Sequence, residues 1–155
     1  MPRLIKDGAI IEDVWRAADA DCAHPVAGQV LSLDQWLELA DKAGSAVQLE
    51  PGQAPAPLLA HLDDLALVVV YFPVFTDGRG FSYGRELRER GYRGELRAAG
   101  HFLQDQLTYL RRCGFNAFQM ADDTELEKAR ARLYDFSEQY QASIDQPLPL
   151  FRRRP

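Results

Sequence analysis

Cysteine is scarce in this 155-residue chain, which carries only Cys22 and Cys113. A disulfide-stabilised scaffold needs more and denser cysteines, so we predict two free thiols in a reducing cytoplasm. Iron–sulfur clusters usually take four thiolate ligands, which two cysteines do not supply. Cys113 precedes Gly114 at a predicted helix end, where a reactive thiolate is not favoured, and we expect it to be a packing residue.

Long hydrophobic runs and excess positive charge are also missing. A membrane helix needs about 18 or more apolar residues, and the longest run here, Leu65–Phe72, fits a buried strand. The first residues contain no apolar signal-peptide core. The net charge is −5, whereas proteins that bind nucleic acids or membrane surfaces usually present basic surfaces. We therefore expect a soluble cytoplasmic protein that binds neither nucleic acid nor membrane.

Complete cofactor motifs are absent as well. The sequence has no P-loop, no zinc-ligand spacing and no nucleophile elbow. Gly78, Gly80 and Gly84 form G-x-G-x-x-x-G, which is one residue longer than the dinucleotide fingerprint. The next predicted strand ends in Ala99-Gly100-His101, without the acidic residue that would bind a ribose. We therefore predict no bound cofactor and no metal site.

The chain does contain a regular alternation of strand and helix signals. Asp7-Gly8 predicts a tight turn in a β-hairpin over residues 3–12, which we expect to be peripheral. Ser32 and Gln35 match a capping box at the start of a helix, and Gly91 fits the left-handed position after another. Residues 17–28 and 73–81 are predicted as loops. Further strands are predicted at residues 46–50, 65–72, 95–99 and 115–120, and further helices at residues 57–62, 82–90, 101–113 and 126–140.

This order of elements predicts an α/β fold. The short connections favour a small, mainly parallel sheet of about four βα units with right-handed crossovers, preceded by the hairpin. An open sheet and a half-barrel both fit the pattern. We predict one domain over residues 1–144 and a Pro/Arg-rich C-terminal tail over residues 145–155.

A family resemblance is carried by the middle of the chain. The segments that carry it are Phe75-Thr76-Asp77-Gly78-Arg79-Gly80-Phe81-Ser82, Arg85-Glu86-Leu87-Arg88, Gly94-Glu95-Leu96-Arg97-Ala98 and Arg111-Arg112-Cys113-Gly114-Phe115. Together they resemble the bacterial domain of unknown function 934 family, whose members are often described as oxidoreductases of sulfite reduction. The resemblance covers nearly the full chain and is most specific over residues 72–118. It implies a role beside the sulfite reductase of cysteine biosynthesis, and it brings no established catalytic residues.

The segment Asp77-Gly78-Arg79-Gly80-Phe81-Ser82 is the first candidate site. It follows the central predicted strand and opens a helix, a position where parallel α/β sheets bind ligands. Free amide groups of the helix start, together with Arg79 and Ser82, would suit an anion. The alternative is a rigid turn in which Ser82 is an ordinary helix cap.

Arg97 and His101 are further candidates. Arg97 lies inside a predicted strand and needs a partner if buried, which Glu95, Asp77 or Asp105 could supply. A structural ion pair is one interpretation, and a pocket rim shared with Arg79 is the other. His101 follows a strand end and could form an acid–base pair with Asp105, although a lone histidine there is more often a helix cap or a surface residue.

Two functional hypotheses follow. The first is an accessory protein of assimilatory sulfite reduction that docks on sulfite reductase or its electron donor, with the Arg-rich tail as a possible contact. The second is a small oxidoreductase or anion-binding enzyme with its site at the carboxyl edge of the sheet. A homodimer that covers an exposed sheet edge is a further expectation.

Overall fold

The computed structural model of the chain describes residues 3–18, 28–74, 78–121 and 126–134. The strands are β1 (Arg3–Lys6), β2 (Ala9–Glu12), β3 (Arg16–Ala17), β4 (Gln29–Ser32), β5 (Ser45–Leu49), β6 (Leu65–Phe72), β7 (Glu95–Gly100) and β8 (Ala117–Met120). The α-helices are α1 (Leu33–Leu37), α2 (Arg79–Glu89), α3 (Leu107–Arg112) and α4 (Leu126–Tyr134). Two 3₁₀ helices cover Ala56–Asp64 and Gln104–Gln106.

The described strands form one sheet in the order β2-β1-β8-β7-β6-β5-β4-β3. Strands β3 to β8 lie side by side in chain order, and each pairs in parallel with the next. β1 pairs antiparallel with β8 and, through the hairpin, with β2. The fold is therefore α/β, with an open, curled and mainly parallel sheet of half-barrel type. The predicted class and the hairpin are confirmed.

Several predicted details are wrong. The sheet has more strands than four βα units supply, because β3 and β4 flank the predicted loop of residues 17–28. These strands are too short to give a periodic pattern. The hairpin is not peripheral, since Leu4 and Ile5 are fully buried where β1 joins β8. Part of that predicted loop, residues 19–27, lies outside the described residues, as do residues 135–155.

Two helices also begin elsewhere than predicted. α2 begins at Arg79 instead of Ser82, because the glycines that suggested a loop are part of its first turns. The helix predicted from His101 begins as the 3₁₀ turn Gln104–Gln106. The backbone of His101 still belongs to the sheet edge, where its N–H donates to the Phe72 carbonyl at 2.7 Å. By contrast, the capping box of Ser32 and Gln35 forms as predicted.

The helices cover only one face of the sheet. The main apolar cluster joins helix residues such as Leu87 and Leu110 to Val68, Val70 and Phe72 of β6. A smaller cluster on the opposite side of the same strands consists of Ala46, Leu67, Val69 and Ala99, with Trp15, Val30 and Tyr71 packed against it. Parallel strands that follow one another in space place all right-handed crossovers on the same side. The other side, the concave face, therefore carries no helix from the described residues.

The connection between β2 and β3 is so short that the sheet has to curl. These two strands are the opposite edges, yet only residues 13–15 lie between Glu12 and Arg16. Four residue steps reach at most about 14 Å, whereas the edges of a flat eight-stranded sheet would lie roughly 34 Å apart. The sheet must therefore bend until its edges approach. We call residues 13–15 the strap, because they cross the concave face from edge to edge.

Glycine on α2 allows this helix to pack closely on β6. A Cβ atom at Gly80 would lie 2.5 Å from Phe72 Cζ and 2.9 Å from Val70 Cγ1, both far inside contact distance. At Gly84 it would lie 2.4 Å from Phe115 Cε2. The spacing read as a relative of the dinucleotide motif is thus explained at these two positions by helix–sheet packing.

Replacing Gly80 with alanine tests this packing. We expect Gly80→Ala to lower the free energy of unfolding by about 1–3 kcal/mol, the usual cost of overpacking a core. Gly78→Ala is the matched control, because a Cβ there meets only Phe81 Cδ2 at 3.9 Å. We expect a net change of about 0.5 kcal/mol or less, because the N-cap preference for glycine over alanine is offset by the reduced freedom of the unfolded chain. Urea unfolding measures both variants, and equal stabilities would contradict the packing role of Gly80.

Candidate functional site

The concave face is built from alternate residues of the central strands, arranged in three rows across the sheet. The row nearest the amino ends contains Val30, Ala46, Leu67 and Glu95. The middle row contains Gln48, Val69, Arg97, Ala117 and Lys6. The row nearest the carboxyl ends contains Tyr71, Ala99 and Gln119. Charged and amide side chains therefore lie on a face that would be the interior of a closed barrel.

Arg97 is the centre of a buried charge network in the middle row. Only 2% of the residue is exposed. Its Nε and Nη2 donate to Glu95 Oε2 at 2.9 and 2.7 Å. Its Nη1 lies 3.1 Å from Asp13 Oδ1 and donates to Gln119 Oε1 at 3.2 Å. On the far side of Glu95, Lys6 Nζ lies 3.1 Å from Oε1, so the network holds two cations and two carboxylates.

This network explains Arg97 as the structural ion pair that the sequence left as one of two interpretations. Glu95 is a partner as expected, but the pair is buried and not solvated. Asp13 was not among the predicted partners, because nothing in a single sequence signals that the strap returns to β7. An arginine without its partners would be very costly at this depth. Asp13 Oδ1 also accepts from the Trp15 N–H at 3.0 Å, so the same carboxylate shapes the strap.

A first cleft of about 450 Å³ opens at the carboxyl ends of β6, β7 and β8. Among the residues that the structure describes, its lining contains two cationic or potentially cationic side chains, Arg3 and His101, and no carboxylate. The other lining residues are Gln48, Tyr71, Ala99, Gly100, Gln119, Met120 and Ala121. In parallel α/β sheets, ligands bind beyond this edge of the strands. The charge of the lining favours an anion.

Gly100 places His101 at the rim of the first cleft. Its φ of +111° belongs to the left-handed region, and a Cβ there would lie 2.4 Å from the Phe72 carbonyl oxygen. The residue that ends β7 therefore has to be glycine. The bond from the His101 N–H to that same carbonyl holds the backbone of His101 at the edge of the sheet.

A second cleft, of about 440 Å³, lies between the strap and the middle row. It is lined by Asp13, Trp15, Arg16, Ala17, Val30, Gln48, Val69, Arg97 and Gln119. Gln48 and Gln119 line both clefts, which makes the two neighbours on one face. Because a guanidinium has only donors, Gln119 turns its carbonyl oxygen toward Arg97, and its NH₂ group is left to donate elsewhere.

The residues predicted from sequence are divided between different parts of the fold. His101 lines the first cleft and Arg97 lines the second. Gly78 is the exposed N-cap of α2, and Arg79, Gly80 and Ser82 are in that helix, which packs on the other face of the sheet.

The acidic candidates lie apart from the clefts or outside the described chain. Asp105 is exposed in the 3₁₀ helix Gln104–Gln106. Neither Arg79 nor Asp105 is among the lining residues of the two clefts. Asp77 lies outside the described residues, so the pairing of Asp77 with Arg97 stays a prediction.

Sequence reasoning missed most of the cleft lining. Gln48 and Gln119 had a usable signal, since each is a polar residue that alternates with buried apolar neighbours in a strand. Arg3, Asp13 and Trp15 had none, because they reach the clefts only through the pairing of β1 with β8 and through the strap.

The amino ends of the strands are held by a different arginine. Arg88 of α2 donates to the carbonyls of Gly114, Tyr92 and Gly94 at 2.8–2.9 Å. Burial lowers the pKa of Arg88 from its ordinary value and raises the pKa of Tyr92, whose hydroxyl donates to the Glu95 carbonyl. These bonds join the loops before β7 and β8, so we assign a structural role to this edge and the ligand-accessible role to the opposite edge.

Metal and membrane features were searched in the same described part of the chain. No group of three or more histidine, cysteine or acidic side chains there could hold a metal ion. Cys113 is a free, buried thiol, while Cys22 lies outside the described residues. No described helix is long and apolar enough to cross a membrane.

Comparison with models of protein families gives a match. The model of a family described as "Bacterial protein of unknown function (DUF934)" matches residues 46–151, which confirms the resemblance drawn from the sequence. A search of curated proteins found no match, and a search of solved structures found none either.

The Arg97 network yields a stability prediction. Replacing Arg97 with methionine leaves Asp13 and Glu95 buried without their shared cation, and we expect the free energy of unfolding to fall by about 3–5 kcal/mol. Adding Glu95→Gln should recover part of the loss, because it removes one of the buried charges. Arg93, which is exposed, gives the control: Arg93→Met should change stability by about 0.5 kcal/mol or less. If urea unfolding gives Arg97→Met and Arg93→Met the same stability, the central role of Arg97 is wrong.

Proposed function

Because the chain belongs to the DUF934 family, we propose that it is an accessory protein of assimilatory sulfite reduction, in the route to cysteine. In this role it docks on or assists sulfite reductase, or the electron donor of that enzyme. The proposal is supported by the resemblance, which is strongest over residues 72–118. The two clefts of the concave face support a binding role within it, since they offer polar groups that the fold itself leaves accessible.

A second candidate is an anion-binding enzyme or small oxidoreductase with its site at the carboxyl edge of the sheet. One observation favours it, namely the first cleft, where Arg3 and His101 are present and the described part of the lining has no carboxylate. A guanidinium and a protonated imidazole would both attract sulfite or a related oxyanion.

Affinity capture tests the accessory role. The tagged chain is purified from its own host cells grown on sulfate as sole sulfur source, beside Arg3→Gln/His101→Gln and Arg79→Gln variants. We expect sulfite reductase or its electron donor in the wild-type eluate. Loss in the first variant alone would place the contact at the first cleft, and loss in Arg79→Gln alone would place it at the start of α2. If no component of sulfite reduction is recovered with the wild type, the accessory role is wrong.

Equilibrium dialysis with radiolabelled sulfite tests the second candidate. We expect binding to the wild type, and we expect Arg3→Gln to weaken it by about tenfold or more, because a charge-assisted contact is lost. Arg93→Gln is the control, since it removes the same charge from an exposed position outside both clefts. Equal binding by both variants would exclude the first cleft as the sulfite site.

A further inference from the structure

The two clefts of the concave face are continuous through their shared glutamines. Gln48 on β5 is in register with Val69, and Val69 is in register with Arg97. Gln119 on β8 lies one row closer to the carboxyl ends, beside Ala99 and Tyr71. Ala99, which lines the first cleft, adds only a methyl group to this part of the face. A ligand can therefore extend from the rim near His101 to the strap.

The size of the clefts indicates an organic ligand. Each has a volume of about 440–450 Å³, within the range of about 300–1,000 Å³ that is usual for sites of small organic molecules. A water molecule occupies about 30 Å³ of liquid, and an inorganic oxyanion needs only a few times that volume. Sulfite alone would leave most of this space empty.

The chemistry of the lining differs between the two ends. The first cleft has Arg3 and His101, and its described lining residues include no carboxylate. The second has the indole of Trp15 with Val30 and Val69, the three apolar side chains that can cover a flat, uncharged group. Arg97 is present there too, but Asp13 and Glu95 neutralise it. Arg16 contributes one exposed cation at that rim.

We propose that the joined clefts bind an elongated organic anion, with its acidic group at Arg3 and His101 and a planar apolar body against Trp15, Val30 and Val69. The NH₂ group of Gln119 donates to the middle of this ligand, because Arg97 holds the carbonyl oxygen of the same side chain. This inference rests on the second candidate function and names the class of its ligand.

Two fluorescent probes with the same aromatic body test the proposal. 8-Anilinonaphthalene-1-sulfonate carries an acidic group and N-phenyl-1-naphthylamine does not, and both brighten when they leave water. We expect the sulfonate to bind the wild-type chain with one-to-one stoichiometry and about tenfold more tightly than the neutral probe, because only the sulfonate gains the charge-assisted contacts.

Variants of the two ends should separate the two contributions. Arg3→Gln should lower the affinity for the sulfonate by about tenfold and leave the affinity for the neutral probe unchanged, since the substitution removes only a charge. Trp15→Leu should lower the affinity for both probes, because it removes the aromatic surface that contacts their shared body. Arg93→Gln should change neither. Circular dichroism and the urea midpoint of each variant establish that it is folded before titration.

Three results would overturn the proposal. These are equal affinities for the charged and neutral probes, sulfonate binding that is unchanged in Arg3→Gln, and sulfonate binding that is unchanged in Trp15→Leu. Competition with sulfite separates this proposal from the function on which it rests. If sulfite binds at Arg3 but the sulfonate binds no more tightly than sulfite, the anion site stands and the organic ligand is wrong. If neither binds, both are wrong.

Discussion

The guanidinium of Arg97 connects parts of the molecule that are far apart in the chain. It belongs to β7, near the middle of the sheet, and it binds Asp13 in the short strap between the two edge strands. Such a connection resists opening of the curl, because separating the strap from the sheet would break the buried pair between Arg97 and Asp13. Glu95 and Lys6 extend the same network to β1. One buried arginine thus links β7, the strap and the N-terminal hairpin.

The polar character of the concave face follows from its incomplete closure. In a closed βα-barrel the inward-facing side chains form packed layers of bulky apolar residues. Here the row nearest the amino ends is apolar at Ala46 and Leu67, whereas the middle row contains Gln48 and Arg97. Arg97 is buried and relies on its ion-pair partners. The half-open barrel leaves Gln48 and Gln119 partly exposed, so their amide groups are less costly than in a sealed interior. The same openness makes these groups available to a ligand.

Local sequence signals predicted the elements that local interactions determine. The strand Leu65–Phe72 is apolar throughout and was predicted with its observed bounds. The Asp7-Gly8 turn and the capping box at Ser32 depend on neighbouring residues only, and both form as expected. The start of α2 was missed because Gly78 and Gly80 weaken a helix signal. The contact with Phe72 that favours glycine at position 80 is a tertiary contact, which the sequence alone does not show.

The candidate site was predictable only in part, for the same reason. Arg97 and His101 were identified because an arginine inside a strand and a histidine after one are unusual in themselves. Arg3, Asp13 and Trp15 join them through the antiparallel pairing of β1 with β8 and through the strap, and no spacing rule for a single sequence encodes such long-range neighbours. Gln48 and Gln119 had the alternation that marks one face of a strand, but the pattern does not tell which face is uncovered.

The pairing of β1 with β8 has a consequence for the order in which the chain acquires its structure. During translation the hairpin emerges before β7 and β8, and the residues that bury Leu4 and Ile5 and neutralise Asp13 come about a hundred positions later. At synthesis rates of about 5–20 residues per second, this segment waits for about 5–20 s without its partners. Contacts between residues so far apart in the chain also slow folding. The intervening chain loses conformational entropy when it closes, before the new contacts stabilise the structure. The nascent hairpin, with its exposed edge and apolar residues, is therefore a segment on which a ribosome-associated chaperone would act.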